Sequence, residues 1–410
     1  MSLLKLNKSL VKEMRELKAQ GYAKPKERII TAYRPAKGKK GPRYGIKGER
    51  KEFIRINANN YLNLSTHPKL IAAADKASKE FGVGPGAVRF IDGTFKQHKF
   101  VEAKIADFTH QSSACIFNSA YTANLALIRT LSSEKTYWIS DELNHNSIIN
   151  GMHMANVPKT HRTIYKHNDL VSLKDCLENI PKKIERVCII FDGVFSMRGD
   201  HAPLAEIQNL ADLYTDKFKA GVITIVDDSH GIGAYGATGR GTMEVTDTVA
   251  DIIVGTFGKA FGVNGGFVAS SKEVTHALRQ KADTYIYTNP LGVADCGAIS
   301  ASLKIIDSSE GESLLNRLSS NTQYFRKEIE AIGYTTLAGI HPIVPLMVWD
   351  GPKTKKMITA LYKRGILAVG LTYPVVPKGQ ETIRVQLNAG LTLEDLNYIL
   401  DCFRTIKKNI

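Results

Sequence analysis

The chain has 410 residues, of which 43% are hydrophobic and 23% charged, the composition of a folded globular protein with room for more than one domain. The formal net charge is +15, but residues 1–50 hold 15 Lys/Arg against 4 Asp/Glu, so +11 lies in that stretch and only +4 in the remaining 360 residues. The body thus lacks the charge of a nucleic-acid binder, no apolar run is long enough to span a bilayer, and five scattered cysteines lack the spacing of zinc sites or disulfides, which points to a reduced, cytoplasmic protein with no metal site.

Leu3, Leu6, Leu10, Met14 and Leu17 recur at helical spacing and predict an amphipathic helix over residues 3–20, ended by Gly21. Residues 35–50 are Gly/Lys-rich and turn-like, a hairpin or a mobile loop. This basic stretch reads as a solvated surface or as an attractor for a substrate that carries phosphates. A short strand from Phe53 to Ile56 runs into Asn57-Ala-Asn-Asn-Tyr-Leu62, where Asn59 could bond a ligand carboxylate or only close an Asx turn. A helix over 67–81 precedes a glycine-rich loop from Gly82 to Thr94. Its single arginine, Arg89, suits a wall that touches anions, and a flexible connector is the plainer alternative. A helix over 96–110 leads to a buried strand, Ala114 to Phe117. That strand turns through Asn118-Ser-Ala-Tyr-Thr-Ala-Asn124 into another helix, which places backbone N–H groups and the positive end of a helix dipole at one point, suited to phosphate.

From here strands and helices alternate. Strands at 136–139, 187–191, 222–226 and 252–254 end in Ser140 to Ser147, Asp192 to Ser196, Asp227-Asp-Ser-His230 and Gly255-Thr-Phe-Gly-Lys259. The pattern predicts an α/β fold with a largely parallel sheet. Open parallel sheets bind ligands beyond the carboxyl ends of their strands, so His145, Ser196, Asp227, His230 and Lys259 are expected to converge. After residue 293 the pattern changes to helices at 294–306 and about 312–332, strands at 343–349, 366–369 and 383–387, and a final helix at 393–407, a smaller α+β domain. The expected division is a basic N-terminal arm and helix over 1–56, a large domain over 57–293 and a small domain over 294–410.

A lysine at the end of a buried strand is a liability in a core and an asset in a Schiff base, which needs a neutral amine. Lys259 paired with a strand-end aspartate suits pyridoxal 5′-phosphate, PLP, whose pyridinium nitrogen needs a carboxylate. Asp227 is the candidate, because Asp228 is better placed to cap a helix. His230 would bond the cofactor's phenolic oxygen. His145 would stack on its ring, or would be a buried structural histidine.

Four stretches together resemble the α-oxoamine synthases: Thr-Phe-Gly-Lys259-Ala-Phe-Gly, Asp227-Asp-Ser-His230-Gly, Leu-Asn-His145-Asn-Ser-Ile-Ile-Asn-Gly and Asp192-Gly-Val-Phe-Ser196-Met. The likeness covers nearly the whole chain. Pro25 to Thr31, Ala58 to Leu62, Ala87 to Thr94 and Tyr373 to Gln380 are most similar to the glycine C-acetyltransferases among them. The resemblance implies a fold-type I PLP enzyme that condenses an amino acid, glycine first, with an acyl-CoA, acetyl-CoA first, and releases CoA. The alternative is a longer acyl-CoA, as in 8-amino-7-oxononanoate synthase or serine palmitoyltransferase; an aminotransferase would share Asp227 and Lys259 but not the motif around His145. By motif, the resemblance implies that Lys259 holds the cofactor covalently and Asp227, His145, Ser196 and His230 surround its ring. The Ala120 and Tyr121 amides and Thr256 would hold its phosphate, and Asn59 and Arg384 the substrate carboxylate. It also implies a homodimer with a shared active site, in which Thr288 reaches the neighbour's cofactor phosphate. Arg198, Pro290 and Leu391 depart from the family's usual residues, as do Phe261 and Asn264 after the lysine.

Overall fold

The structure, a computed structural model, describes residues 2–409. Two compact units share the chain. One holds Met1–Asn57, Leu346–Arg384 and Thr392–Ile410; the other holds Ala58–Pro345 and Val385–Leu391. The first opens with the helix Ser2–Ala19, in which no residue is buried, so the expected apolar stripe is present but uncovered in the single chain. Strands β1 (Ile30–Arg34), β2 (Arg43–Ile46) and β3 (Glu52–Arg55) follow as antiparallel neighbours. Residues 35–50 are therefore the hairpin alternative: Lys37 and Lys40 close the turn.

The larger unit carries seven strands in one sheet. They are β4 (Ser113–Phe117), β5 (Thr136–Asp141), β6 (Arg162–Tyr165), β7 (Arg186–Asp192), β8 (Val222–Asp227), β9 (Ile252–Thr256) and β10 (Gly266–Ser270). Their spatial order is β4-β10-β9-β8-β7-β5-β6, parallel except for β10, which runs antiparallel to both neighbours. Both faces are covered. Along β7, Val187, Ile189 and Phe191 enter one apolar cluster and Cys188 and Ile190 the other, the period-two alternation of a strand buried on both sides. That explains why these strands read as near-continuous apolar runs. Strand β10 follows the glycines of the lysine loop and was not expected. Its first residue must be glycine: a Cβ on Gly266 would lie 2.1 Å from the Ala120 nitrogen, where the helix Ala120–Leu131 begins.

The chain leaves and re-enters the larger unit along β11 (Ile343–Met347) and β14 (Thr382–Gln386). Between them lie β12 (Ile366–Leu367), parallel to β3, and β13 (Val369–Leu371), antiparallel to β14. The N-terminal strands thus complete a sheet with β12 and do not form a free arm. Arg43 and Asp395 form a largely buried ion pair at 2.5 Å, and Asp395 also accepts the Gly41 N–H at 2.9 Å, which ties the β1–β2 hairpin to the helix Leu393–Asn409. The larger unit runs on through residue 293 without a break. The helix Val293–Ile306 packs on the helix Pro68–Phe81 inside the larger unit, so closely that a Cβ on Gly297 would lie 2.6 Å from the Ala73 carbonyl. The change of sequence pattern at 293 marks a layer, not a boundary. Among the described residues no helix is long and apolar enough to cross a membrane, and no cluster of His, Cys, Asp and Glu could hold a metal ion.

Candidate active site

Register brings the strand ends together. Asp192 pairs with Asp227 across β7 and β8, and Asp227 pairs with Val254 across β8 and β9, two residues before Thr256 ends that strand. Beyond these ends lies a cavity of about 190 Å³. Lys259, Asp227, His230, His145 and Thr256 line it, with Ala120 and Tyr121 of the first turn of the helix Ala120–Leu131; Ser119, Ser147, Asp192, Val194 and Ser229 complete the wall. A larger cavity of about 310 Å³ between Phe100, Phe108, Arg240 and Lys304 contains none of the expected site residues.

The carboxylate of Asp227 is held from two sides. Its Oδ2 accepts the Asn124 side-chain N–H at 2.6 Å, and its Oδ1 accepts the Ser229 backbone N–H at 3.1 Å. Asn124 is fully buried and also donates to Ser147 Oγ at 2.9 Å. Both bonds leave Asp227 nothing to do but present a fixed carboxylate edge. Neighbouring Asp192 is pushed well above the usual carboxylate range, first by burial and then by the charge of Asp227.

Asp228 points the other way. It is fully buried and accepts the N–H and the hydroxyl of Thr242, at the start of the helix Thr242–Val245, at 2.9 and 2.7 Å. Burial raises it to about 7 in spite of those bonds. It is a structural carboxyl that serves a helix start.

His145 caps the helix Asn146–Met154, with its Nδ1 2.8 Å from Ser147 Oγ and 3.3 Å from the Ser147 N–H. Burial lowers its pKa, Asp227 works against that, and Lys259 adds to it. The imidazole, its backbone fixed by Asp192, is a flat wall for a ring. On the far side Ser119 caps the helix Ala120–Leu131 by accepting the Thr122 N–H at 3.1 Å. Thr256 donates its hydroxyl to the Gly265 carbonyl at 3.0 Å and accepts the Gly258 N–H at 3.1 Å, which closes the lysine loop onto β9.

The residues fit PLP. An amine, a fixed carboxylate, a flat imidazole and a helix N-terminal turn surround one cavity, which matches a ring with an aldehyde, a basic nitrogen and a phosphate. Ser229 Oγ on the wall is buried without a protein partner, as a polar atom is where a ligand completes the network.

Other expected residues lie elsewhere. Ser196 is two residues beyond Val194 and does not line the cavity, nor does Thr288, which is 3.5 Å from the Asn118 side-chain nitrogen. Asn59 is half-buried, and its Oδ1 accepts the Gln386 side-chain N–H. Arg384 lies in the other unit, on β14 opposite Val369. Arg89 requires a correction. It does not face an anion site, because its guanidinium turns inward to Glu102 at 3.0 Å and to Thr94 Oγ1 at 3.0 Å. Glu102 also meets Lys99 at 2.7 Å and Arg279 at 3.0 Å, so the arginine of the glycine-rich loop anchors that loop to the helix Lys96–Phe108. Sequence reasoning missed Asn124, Tyr61 and Ser229. Asn124 had one signal, an uncharged polar residue among Ala123, Leu125 and Leu127 on the buried face of a helix.

A model of the class I and II aminotransferase family matches residues 51–403. An 8-amino-7-oxononanoate synthase of Thermosipho melanesiensis is 37% identical over 401 residues, which is 97% of each chain. The mitochondrial 2-amino-3-ketobutyrate coenzyme A ligase of Bos taurus is 38% identical over 406 residues, 98% of this chain and 92% of that one. Among solved structures, a serine palmitoyltransferase from S. paucimobilis, with PLP bound, superposes with a TM-score of 0.86 at 28% identity over 99% of this chain and 98% of that chain.

Proposed function

The chain belongs to the class I and II aminotransferase family, and within it to the PLP-dependent α-oxoamine synthases, and from that premise we propose that it condenses glycine with a short acyl-CoA, acetyl-CoA first, to a 2-amino-3-oxo product and free CoA. The observation that carries the placement of this chemistry is the cavity in which Lys259 and the doubly bonded Asp227 meet at the strand ends. When bound, PLP supplies an electron sink for the pair left at the α-carbon once its proton is removed. The residues do the rest. Asp227 holds the ring nitrogen, His145 covers the ring, and Ala120, Tyr121 and Thr256 hold the phosphate. His230, which lines the cavity, serves the phenolic oxygen. The Lys259 amine takes the α-proton, and Asn59 orients the substrate carboxylate. The enzyme acts as a homodimer, with Thr288 of each copy serving the other's phosphate.

Glycine and a short chain are favoured by the 2-amino-3-ketobutyrate ligase among the relatives. The equally similar 8-amino-7-oxononanoate synthase supports a second reading with a longer acyl chain. Each methylene in an apolar pocket is worth about 1–3 kcal/mol, so a few side chains decide between them. The experiment is a matrix of glycine, alanine and serine against acyl-CoAs of increasing length, read by free thiol release. Glycine with acetyl-CoA is the expected optimum. An optimum at alanine with a dicarboxylic acyl chain, or at serine with a long one, overturns the substrate assignment.

A further inference from the structure

His230 is gripped at both ends by residues distant in sequence. At the side chain, the Tyr61 hydroxyl lies 2.7 Å from Nδ1. At the main chain, the His230 carbonyl accepts from His341 Nε2 at 3.0 Å. A carbonyl cannot donate, so His341 carries its proton on Nε2, and its Nδ1 accepts the Ile343 N–H at 3.2 Å. Burial drives His341 down to about 3, so it stays a neutral clamp. Tyr61 is itself packed and bonded in place. Its ring is fully buried and stands edge-on to His341 at 5.4 Å. Its N–H donates to Asn59 at 2.9 Å and its carbonyl accepts the Ala389 N–H at 2.7 Å. Behind His341, Tyr235 packs edge-on at 5.4 Å and bonds His201 Nδ1 at 3.2 Å.

The direction of the Tyr61–His230 bond follows from acidity. A phenol is a stronger acid than a neutral imidazole N–H, and an unprotonated imidazole nitrogen is a stronger base than a phenol oxygen. The stable arrangement has Tyr61 donating and Nδ1 accepting. A neutral imidazole has one proton, so it then sits on Nε2.

We propose that Tyr61 is a positioning residue for the condensation: its hydroxyl fixes His230 in the tautomer with the proton on Nε2 and so presents a hydrogen-bond donor to the phenolic oxygen of the cofactor. This rests on the reading of His230 at that oxygen, which the test separates from the role of Tyr61. The same clamp explains why a tyrosine in the Asn59-Asn60-Tyr61 turn, outside the cavity lining, is fully buried with its one polar atom on a wall residue.

The first measurement is the ¹⁵N spectrum of the PLP-loaded enzyme labelled only at histidine, with His230 assigned by its loss in His230→Gln. The expected signature is an unprotonated, hydrogen-bonded Nδ1 and a protonated Nε2, replaced by a tautomer mixture in Tyr61→Phe. This variant removes one oxygen and keeps the ring that packs on His341. A protonated Nδ1 in the wild type, or an unchanged spectrum in Tyr61→Phe, overturns the proposal. The second measurement is a cycle on PLP affinity. Tyr61→Phe is expected to weaken binding about two- to tenfold, the size of one lost hydrogen bond, and to have no effect in the His230→Gln background. An equal loss in both backgrounds makes Tyr61 merely structural. If His230→Gln alone leaves PLP affinity unchanged, the placement of His230 at the cofactor fails, whatever the tautomer.

Discussion

Asn124 gives the sharpest test of how the site works, because its shorter bond holds Asp227 and its longer one Ser147. The 2.6 Å bond from its side-chain nitrogen to Asp227 Oδ2 is short and charge-assisted, and both groups are buried. Such a bond is worth about 1.5–3 kcal/mol, so Asn124→Ala should weaken PLP binding by roughly 10- to 100-fold. Asn124→Asp separates orientation from charge. Two carboxyls at this spacing cannot both ionise, so the introduced one has a raised pKa. While protonated it donates to Asp227 as the amide did, and affinity stays near that of the wild type. Once pH rises through that raised pKa, two like charges face each other, a penalty of roughly 4 kcal/mol at 4 Å and an effective dielectric of about 20. PLP affinity of Asn124→Asp should therefore fall steeply with pH and drop below that of Asn124→Ala, whose own profile tracks the wild type. The assay is absorbance titration of PLP into stripped protein at several pH values. If Asn124→Ala binds like wild type, or if the aspartate variant shows no added pH dependence, Asp227 is not the group that holds the cofactor's ring nitrogen.

Two further outcomes follow from groups outside the cavity. His167 bridges Asp141 and Asp200, each at 3.1 Å, and packs edge-on to Phe195 at 4.3 Å; burial alone would lower its pKa, but the bonds to the two carboxylates raise it to about 9. A raised histidine stabilises the fold fully below the unfolded value near 6.5 and loses that contribution as pH climbs through about 9, so the thermal midpoint should decline across this window and His167→Gln should flatten the decline. Glu102 has a side chain only 4% exposed and compensates Arg89, Arg279 and Lys99, so Glu102→Ala strands buried guanidinium charge and should cost about 3–5 kcal/mol in denaturant unfolding; a loss below about 1 kcal/mol would mean water or a rearrangement replaces the carboxylate.

The larger unit was legible because its strands are buried on both faces and end in chemistry. The apolar runs at Val187 to Phe191 and Val222 to Val226 stand out from polar surroundings, while the order that makes them neighbours is read only from the structure. Strand β10 was hidden because its glycine start reads as part of the lysine loop, and only the close approach to Ala120 shows why it must be there. Arg89 misled because a lone arginine among glycines looks like an anion contact, while its partner Glu102 lies on the following helix, thirteen residues away, with no sign of its burial in local sequence. Tyr61 and His341 were invisible for a related reason. Their partner His230 is far off in sequence, 169 and 111 residues away, and only the fold shows which tyrosine meets which histidine.

The central claim is that the cavity at the strand ends is where PLP is held, through the amine of Lys259. The purified enzyme should be yellow, and borohydride reduction followed by peptide mapping should place the pyridoxyl adduct on Lys259, with Lys259→Ala unable to form it. An adduct on any other lysine, with Lys259 unmodified, would contradict the account.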